Sequence, residues 1–156
     1  MIRTGIGWDI HKLKRGRRFL LCGVEIPFNK GEDGHSDGDV LAHAICDALL
    51  GACALGDIGE LFPPDDPVFK DADSMKLLRN AALRVKQQGW QIVNIDCVIV
   101  CDKPKVLPFR EVIRKSIAEN LEIPFECVFL KGKTSEGLVR GKAVEAFTVC
   151  LLEKNE

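Results

Sequence analysis

Histidine is scarce in this chain: its 156 residues include three, His11, His35 and His43, all in the first third. An excess of one charge is missing too. The formal net charge of -1 gives no general attraction to nucleic acid or to an anionic membrane, so neither is expected as a partner. No apolar run approaches the roughly 20 residues of a membrane span. Seven cysteines are present, yet none forms a Cys-x-x-Cys pair, which argues against a zinc ribbon or a thioredoxin-like motif. Cys46 and Cys53 on a helix, and Cys97 and Cys101 on one strand face, read instead as small apolar core residues kept reduced. A strand-like pattern begins at Ile2, so no leader segment is expected, and the combined reading is a cytoplasmic protein. Repeats, linkers and low-complexity segments are also missing. What remains, 46% hydrophobic and 29% charged, is the composition of one ordinary globular domain with a sizeable core.

Residues 2–8 carry glycines at 5 and 7, where a second backbone can approach a strand closely. Asp9 and His11 share one face, because strand side chains alternate. Residues 12–18, Lys-Leu-Lys-Arg-Gly-Arg-Arg, read as a basic turn, either solvated or steering phosphate. Short strands at 19–22 and 24–26 are interrupted at Gly23 and stopped by Pro27, and 28–33 reads as a polar loop delivering His35. A helix is predicted over 37–55, capped by Ser36 or Asp37, with Asp39 suited to the positive end of its dipole. Along it Asp39, His43 and Asp47 form one polar stripe, costly to bury unless each finds a partner. Residues 56–59 stop that helix in a tight turn, and the prolines of 61–67 dictate a loop.

A second helix begins at Asp73 or Ser74 and ends near Gly89. The strongest strand covers 92–101; being partly apolar on both faces, it calls for cover on both, a hint of oligomerisation. A third helix spans 107–121 with Val112, Ile113, Ile117 and Leu121 on its buried stripe, and strands follow at 127–131 and 143–152. This order predicts a single α/β domain over residues 1–156, a mixed sheet covered by helices mostly on one side.

Asp9, His11 and His43 offer one carboxylate oxygen and two imidazole nitrogens, a set suited to zinc with a fourth position open for water or substrate. Singly, an Asp-x-His unit arises by chance and a helix histidine often sits satisfied in a core; their clustering favours the metal. Lys133, Thr134, Ser135 and Glu136, flanked by glycines, suit a phosphate cradle with a glutamate for a hard divalent ion, or equally a helix-capping turn. In residues 101–108 two prolines stiffen a loop whose backbone could read a base edge while its lysines meet phosphates; otherwise it merely joins strand to helix.

Taken together, these segments closely resemble the 2-C-methyl-D-erythritol 2,4-cyclodiphosphate synthases of the non-mevalonate isoprenoid pathway. The likeness is carried by Gly7-Trp8-Asp9-Ile10-His11, by His35-Ser36-Asp37-Gly38-Asp39-Val40 with His43, and by Asp47-Ala48-Leu49-Leu50-Gly51. It continues through Ala54-Leu55-Gly56-Asp57-Ile58-Gly59, Leu61-Phe62-Pro63, Pro104-Lys105-Val106-Leu107-Pro108 and Lys133-Thr134-Ser135-Glu136, and so spans almost the whole chain. The resemblance implies a homotrimer with active sites between subunits. Its substrate would be 4-diphosphocytidyl-2-C-methyl-D-erythritol 2-phosphate, whose 2-phosphate attacks the β-phosphorus, releasing CMP and closing a cyclic diphosphate.

By position, the resemblance assigns zinc to Asp9, His11 and His43, and Mg2+ or Mn2+ to Glu136. His35 and Thr134 would stabilise the transition state, and Ser36 would contact phosphate. Substrate would further meet Ile10, Asp57, Ile58 and Gly59, under a closing loop of Phe62, Pro63, Pro64, Asp65 and Asp66. Cys101, Asp102, Lys103, Pro104, Lys105, Val106 and Leu107, with Lys133, Thr134 and Ser135, would hold the cytidine diphosphate part. Independently of the family, Asp39 is a candidate partner supporting the ligand His43, one turn away.

One segment departs from the family pattern: residues 136–142 are several residues shorter than the family's usual Gly- and Phe-containing segment with its Gly-Arg-Gly-Glu-Gly core, leaving Arg140 as the candidate arginine lining the trimer's central cavity. Two rival readings share the metal cluster, a zinc-dependent hydrolase and a non-catalytic trimeric metabolite-binding protein.

Overall fold

The computed structural model describes residues 1–34, 36–63, 65–67 and 72–154. In chain order its elements are β1 (Ile2–Arg15), β2 (Leu20–Leu21), β3 (Val24–Glu25), β4 (Lys30–Asp33), α1 (Val40–Ala52), α2 (Ile58–Leu61) and α3 (Ser74–Gln87). Then come β5 (Gln91–Val100), α4 (Arg110–Leu121), β6 (Val128–Lys133) and β7 (Ala143–Glu153), with one-turn 3-10 segments at Leu107–Phe109 and Phe125–Cys127. The large sheet runs β4-β1-β7-β5-β6. β7 is antiparallel to both β1 and β5, whereas β5 and β6 are parallel, so the sheet is mixed as expected.

β1 shows how the sequence builds this arrangement. Its even residues face outward, with Ile6 73% and Trp8 50% exposed, and its odd residues face α1. Two of those odd positions are Gly5 and Gly7. A Cβ on Gly5 would meet the carbonyl oxygen of Ala48 at 1.9 Å, and one on Gly7 that of Ala44 at 1.8 Å. Helix and strand therefore touch backbone to backbone, as the glycines foretold. The core closes around α1, in which Leu41, Ile45, Leu49 and Leu50 are fully buried against inward residues of β5 and β7 such as Ile99, Val144 and Cys150. Cys46, Cys53, Cys97 and Cys101 are buried and free, which agrees with their reading as core residues.

Several boundaries differ from expectation. β1 continues through residues 12–15, read above as a turn, and residues 30–33, read as a loop, form β4 against it. This edge pair is mostly charged, and its fully buried side chain is itself a glutamate, Glu32, which erases the hydrophobic alternation that marks a strand. α1 is shorter than predicted because Asp39, rather than Ser36 or Asp37, is its cap, accepting from the Ala42 N–H. α2 is a single turn and too short to show periodicity. Residues 107–109 form a 3-10 turn before α4, where the ring of Pro108 replaces an N–H donor. Val112, placed on the buried stripe, is 49% exposed; Ile113, Ile117 and Leu121 recur at one helical angle and Val112 lies off it.

Candidate active site

The polar stripe on α1 separates into three partnerships. Asp39 is fully buried, and besides capping α1 its oxygens accept from the N–H groups of Cys22 and Gly23 at 2.9 and 2.7 Å. Those two residues form the β2–β3 turn, with φ of 47° and 75°. Asp39 thus anchors a hairpin and does not contact the His43 ring, which corrects its expected role. Asp47 accepts from the Ile58 N–H at 2.8 Å and so holds the start of α2, where Asp57 accepts from Glu60 N–H. Burial, reinforced by nearby Asp57 and Asp9, pushes the Asp47 carboxyl above its usual range.

His43, between them, meets β1. Its Nδ1 lies 3.0 Å from Asp9 Oδ2, and His11 Nε2 lies 3.0 Å from the same oxygen. One ligand atom from each residue falls within 4.8 Å of the others, a group able to hold a metal ion. Burial alone would raise the Asp9 carboxyl, but the two imidazoles outweigh it and hold Asp9 well below the carboxylate range. Burial likewise disfavours a charged His11, and the Asp9 carboxylate overcomes this and raises its pKa. The far nitrogen of His11, Nδ1, sits 2.5 Å from the carbonyl oxygen of Gly38. A carbonyl only accepts, so this nitrogen carries the proton and Nε2 of the neutral ring offers a lone pair toward Asp9 Oδ2. That lone pair can take a proton shared with Asp9 or a cation in its place, and the donor set of nitrogen, nitrogen and carboxylate oxygen fits zinc.

A second group of expected residues gathers elsewhere. Cys101, Asp102, Lys105, Val106, Leu107, Gly132, Lys133 and Thr134 line a cavity of about 240 Å³ where β5 and β6 end. Asp102 accepts from the backbone and hydroxyl of Ser135, each at 2.8 Å, and from Gly141 N–H at 3.0 Å, so it ties the loop after β6 to the loop after β5. The Thr134 hydroxyl donates to Glu136 at 2.7 Å. No helix follows these residues; a turn through residues 135–142 leads into β7, so the capping alternative falls away. Burial pushes the Cys101 thiol up to about 12, which leaves it an inert wall of the cavity.

The two groups stand apart within one chain. Asp9 is level with Ala146, Ile99 and Gly132 across β7, β5 and β6, at the same end of the sheet but three strand spacings away, about 14 Å. Ile10 points to the outer face, opposite Asp9 and His11. Phe62 is half-buried against the core beside Pro63, Asp65 and Asp66. His35 and Pro64 lie outside the described residues. Arg140 has a left-handed φ of 47° in the short turn before β7.

Two contributions escaped sequence reasoning. Arg17, read as part of a solvated or phosphate-steering turn, donates to the carbonyl oxygens of Glu32, Gly34 and Ser36. Ser74, read only as a helix start, is fully buried beside the His43 ring, with its hydroxyl 2.9 Å from Nε2. Nothing local to either residue signals these contacts.

Known proteins match the chain throughout. A 2-C-methyl-D-erythritol 2,4-cyclodiphosphate synthase from Treponema denticola is 58% identical over 154 residues, 97% of this chain and 96% of that protein. A solved structure of such a synthase in its CDP-bound form is 41% identical with a TM-score of 0.91, covering 97% of this chain and 100% of that one. The bifunctional IspDF of Campylobacter jejuni superposes with a TM-score of 0.95 at 38% identity; all of this chain corresponds to 43% of that one. The model of the YgbB family matches residues 2–153, which include Asp9, His11 and His43 and both loops of the cavity. The chain belongs to the YgbB family.

Proposed function

We propose that this protein is a cytoplasmic 2-C-methyl-D-erythritol 2,4-cyclodiphosphate synthase acting on 4-diphosphocytidyl-2-C-methyl-D-erythritol 2-phosphate. The observation that carries the reading is the convergence of His11 Nε2 and His43 Nδ1 on one oxygen of Asp9, each at 3.0 Å, in a chain of this family. Zinc held by Asp9, His11 and His43, with Mg2+ or Mn2+ held by Glu136, would polarise the diphosphate and neutralise charge growing on it.

The protein supplies position. The loops at residues 101–107 and 133–135 grip the cytidine diphosphate, the lysines at 103, 105 and 133 meeting its phosphates. Asp57 and Gly59, held by Asp47 through Ile58, take the methylerythritol hydroxyls, and residues 62–66 close over them. Held so, an oxygen of the 2-phosphate attacks the β-phosphorus, and the bond from that phosphorus to the bridging oxygen breaks. CMP departs with the oxygen and its electron pair. The nucleophile is already an anion, so no general base is required; His35 and Thr134 donate hydrogen bonds to the transition state.

The catalytic unit is a homotrimer. Two metals on one diphosphate must sit a few ångströms apart, yet Asp9 and Glu136 of a single chain are separated by several strands. A neighbouring copy completes each site. The outer sheet face supports this assembly: Ile6, Trp8, Phe147, Val149 and Phe129 are 38–73% exposed there, a broad apolar surface that water disfavours. Wild-type protein is expected to scatter light as three chains. Ile6→Asp should scatter as one and lose turnover with its zinc ligands intact; an active single-chain form would defeat the shared site.

The activity is tested by incubating purified protein with the cytidine diphosphate-linked substrate and following phosphorus NMR. CMP and cyclic diphosphate should appear together, vanish with a chelator, and return with added zinc and magnesium. Hydrolysis to open-chain phosphates would favour the zinc hydrolase, and bound zinc without CMP release a binding protein.

A further inference from the structure

His43 holds its second ring nitrogen against two hydroxyls, Ser74 Oγ at 2.9 Å and Ser36 Oγ at 3.0 Å. Which of them decides the ring's protonation depends on where each hydroxyl proton goes. Ser74 Oγ lies 2.5 Å from Asp37 Oδ1, and Asp37 Oδ2 accepts from the Ser74 backbone N–H at 3.0 Å. A carboxylate at that distance is by far the strongest acceptor within reach, so the Ser74 proton points to Asp37. The hydroxyl then turns only lone pairs toward His43. Its contact with Nε2 is attractive only when Nε2 carries the ring proton. In a neutral imidazole the other nitrogen is then bare, and that nitrogen is Nδ1, the one aimed at Asp9 Oδ2.

We infer that Asp37 and Ser74 act together as a positioning pair that fixes the tautomer and plane of His43, so that Nδ1 is presented to the metal. This rests on the reading of Asp9, His11 and His43 as metal ligands. The pair is well placed for the task. Ser74 is fully buried, and Asp37 is locked at its backbone too, its N–H donating to the Ala72 carbonyl at 3.1 Å. Ser36, also buried, is free to donate to Ser74 Oγ at 3.3 Å, which completes the network without opposing it. His11 obtains the same service from the Gly38 carbonyl. Both imidazoles are thus set by groups of one short segment and the helix start that it grips, and Asp39, the expected supporter, takes no part.

The probe is zinc alone, measured by competition with a chromophoric chelator on wild type, Ser74→Ala and Ser74→Thr. Ser74→Ala is expected to weaken zinc binding about 10- to 100-fold, the usual scale for losing a partner behind a ligand. Ser74→Thr, which keeps the hydroxyl, should recover most of it. Thermal melting of the metal-free proteins separates this from simple loosening of α3: the inference requires that the affinity ranking persist after correction for any folding deficit. Long-range nitrogen-15 NMR of the zinc-loaded wild type, with three histidines to assign, should show His43 protonated at Nε2.

Zinc affinity in Ser74→Ala within twofold of wild type, or an unprotonated Nε2 in the loaded wild type, would overturn the pair's role. A wild type that takes up no stoichiometric zinc would instead overturn the metal-site reading, and this inference with it.

Discussion

His43→Ala is expected to strip zinc from the protein and to lower CMP release on the order of 10³-fold or more while the chain still folds. The size follows from the number of ligands. Removing one nitrogen leaves His11 and Asp9 as a two-point site, too weak to retain zinc against buffer. Loss of an ion that stabilises transition-state charge by several kcal/mol, at tenfold per roughly 1.4 kcal/mol, gives that factor. The fold should survive because alanine favours the helix and because the hydroxyls left behind still have partners: Ser74 keeps Asp37, and Ser36 still accepts from Gly38 N–H. The check is zinc per chain by elemental analysis, beside turnover and circular dichroism. Full zinc occupancy in the variant would remove His43 from the ligand set.

Gly7→Ala should damage the fold more than any surface change of equal size. The added carbon would lie 1.8 Å from the Ala44 carbonyl oxygen and 2.8 Å from the Ala48 nitrogen, both backbone atoms of a helix buried along nearly its whole length. No flexible side chain can yield, so α1 must shift off β1 as a body. Such a change belongs with the rare substitutions costing more than about 4 kcal/mol, out of a domain stability of roughly 5–15 kcal/mol. The matched control is Gly51→Ala on the same helix. There the new carbon meets nothing within 4 Å, and the helix should gain up to about 1 kcal/mol. Urea midpoints measure both. An unchanged midpoint for Gly7→Ala would mean that helix and strand are farther apart than described, and the Asp9–His43 contact would fall with that distance.

Much of this was legible because it is encoded over short spans. Alternation places Asp9 and His11 on one face of β1 whatever follows them. The glycines at 5 and 7 announce a close backbone neighbour, and the apolar runs of β5 and β7 mark central strands. The features that escaped share a different character. The β1–β4 edge pair is mostly charged, and its fully buried side chain is Glu32, held by the N–H groups of Leu20 and Val40, partners that no local pattern reveals. Asp39, His43 and Asp47 look alike along the helix, but their partners come from the β2–β3 turn, from β1 and α3, and from α2. The separation of the cavity at residues 101–107 from the metal cluster depends on strand order, which no local pattern reveals.

By itself, then, the chain's order of residues determined the α/β class, the burial of Cys46, Cys53, Cys97 and Cys101, the three metal-ligand candidates and the family. Only the folded arrangement decided which polar residue serves which: Asp39 the hairpin, Asp47 the start of α2, Ser74 and Asp37 the histidine. The reason is physical. Backbone preference and side-chain periodicity are settled among residues a few positions apart, whereas a hydrogen bond is settled by distance in space, and Ser74 is 31 residues from the ring it touches.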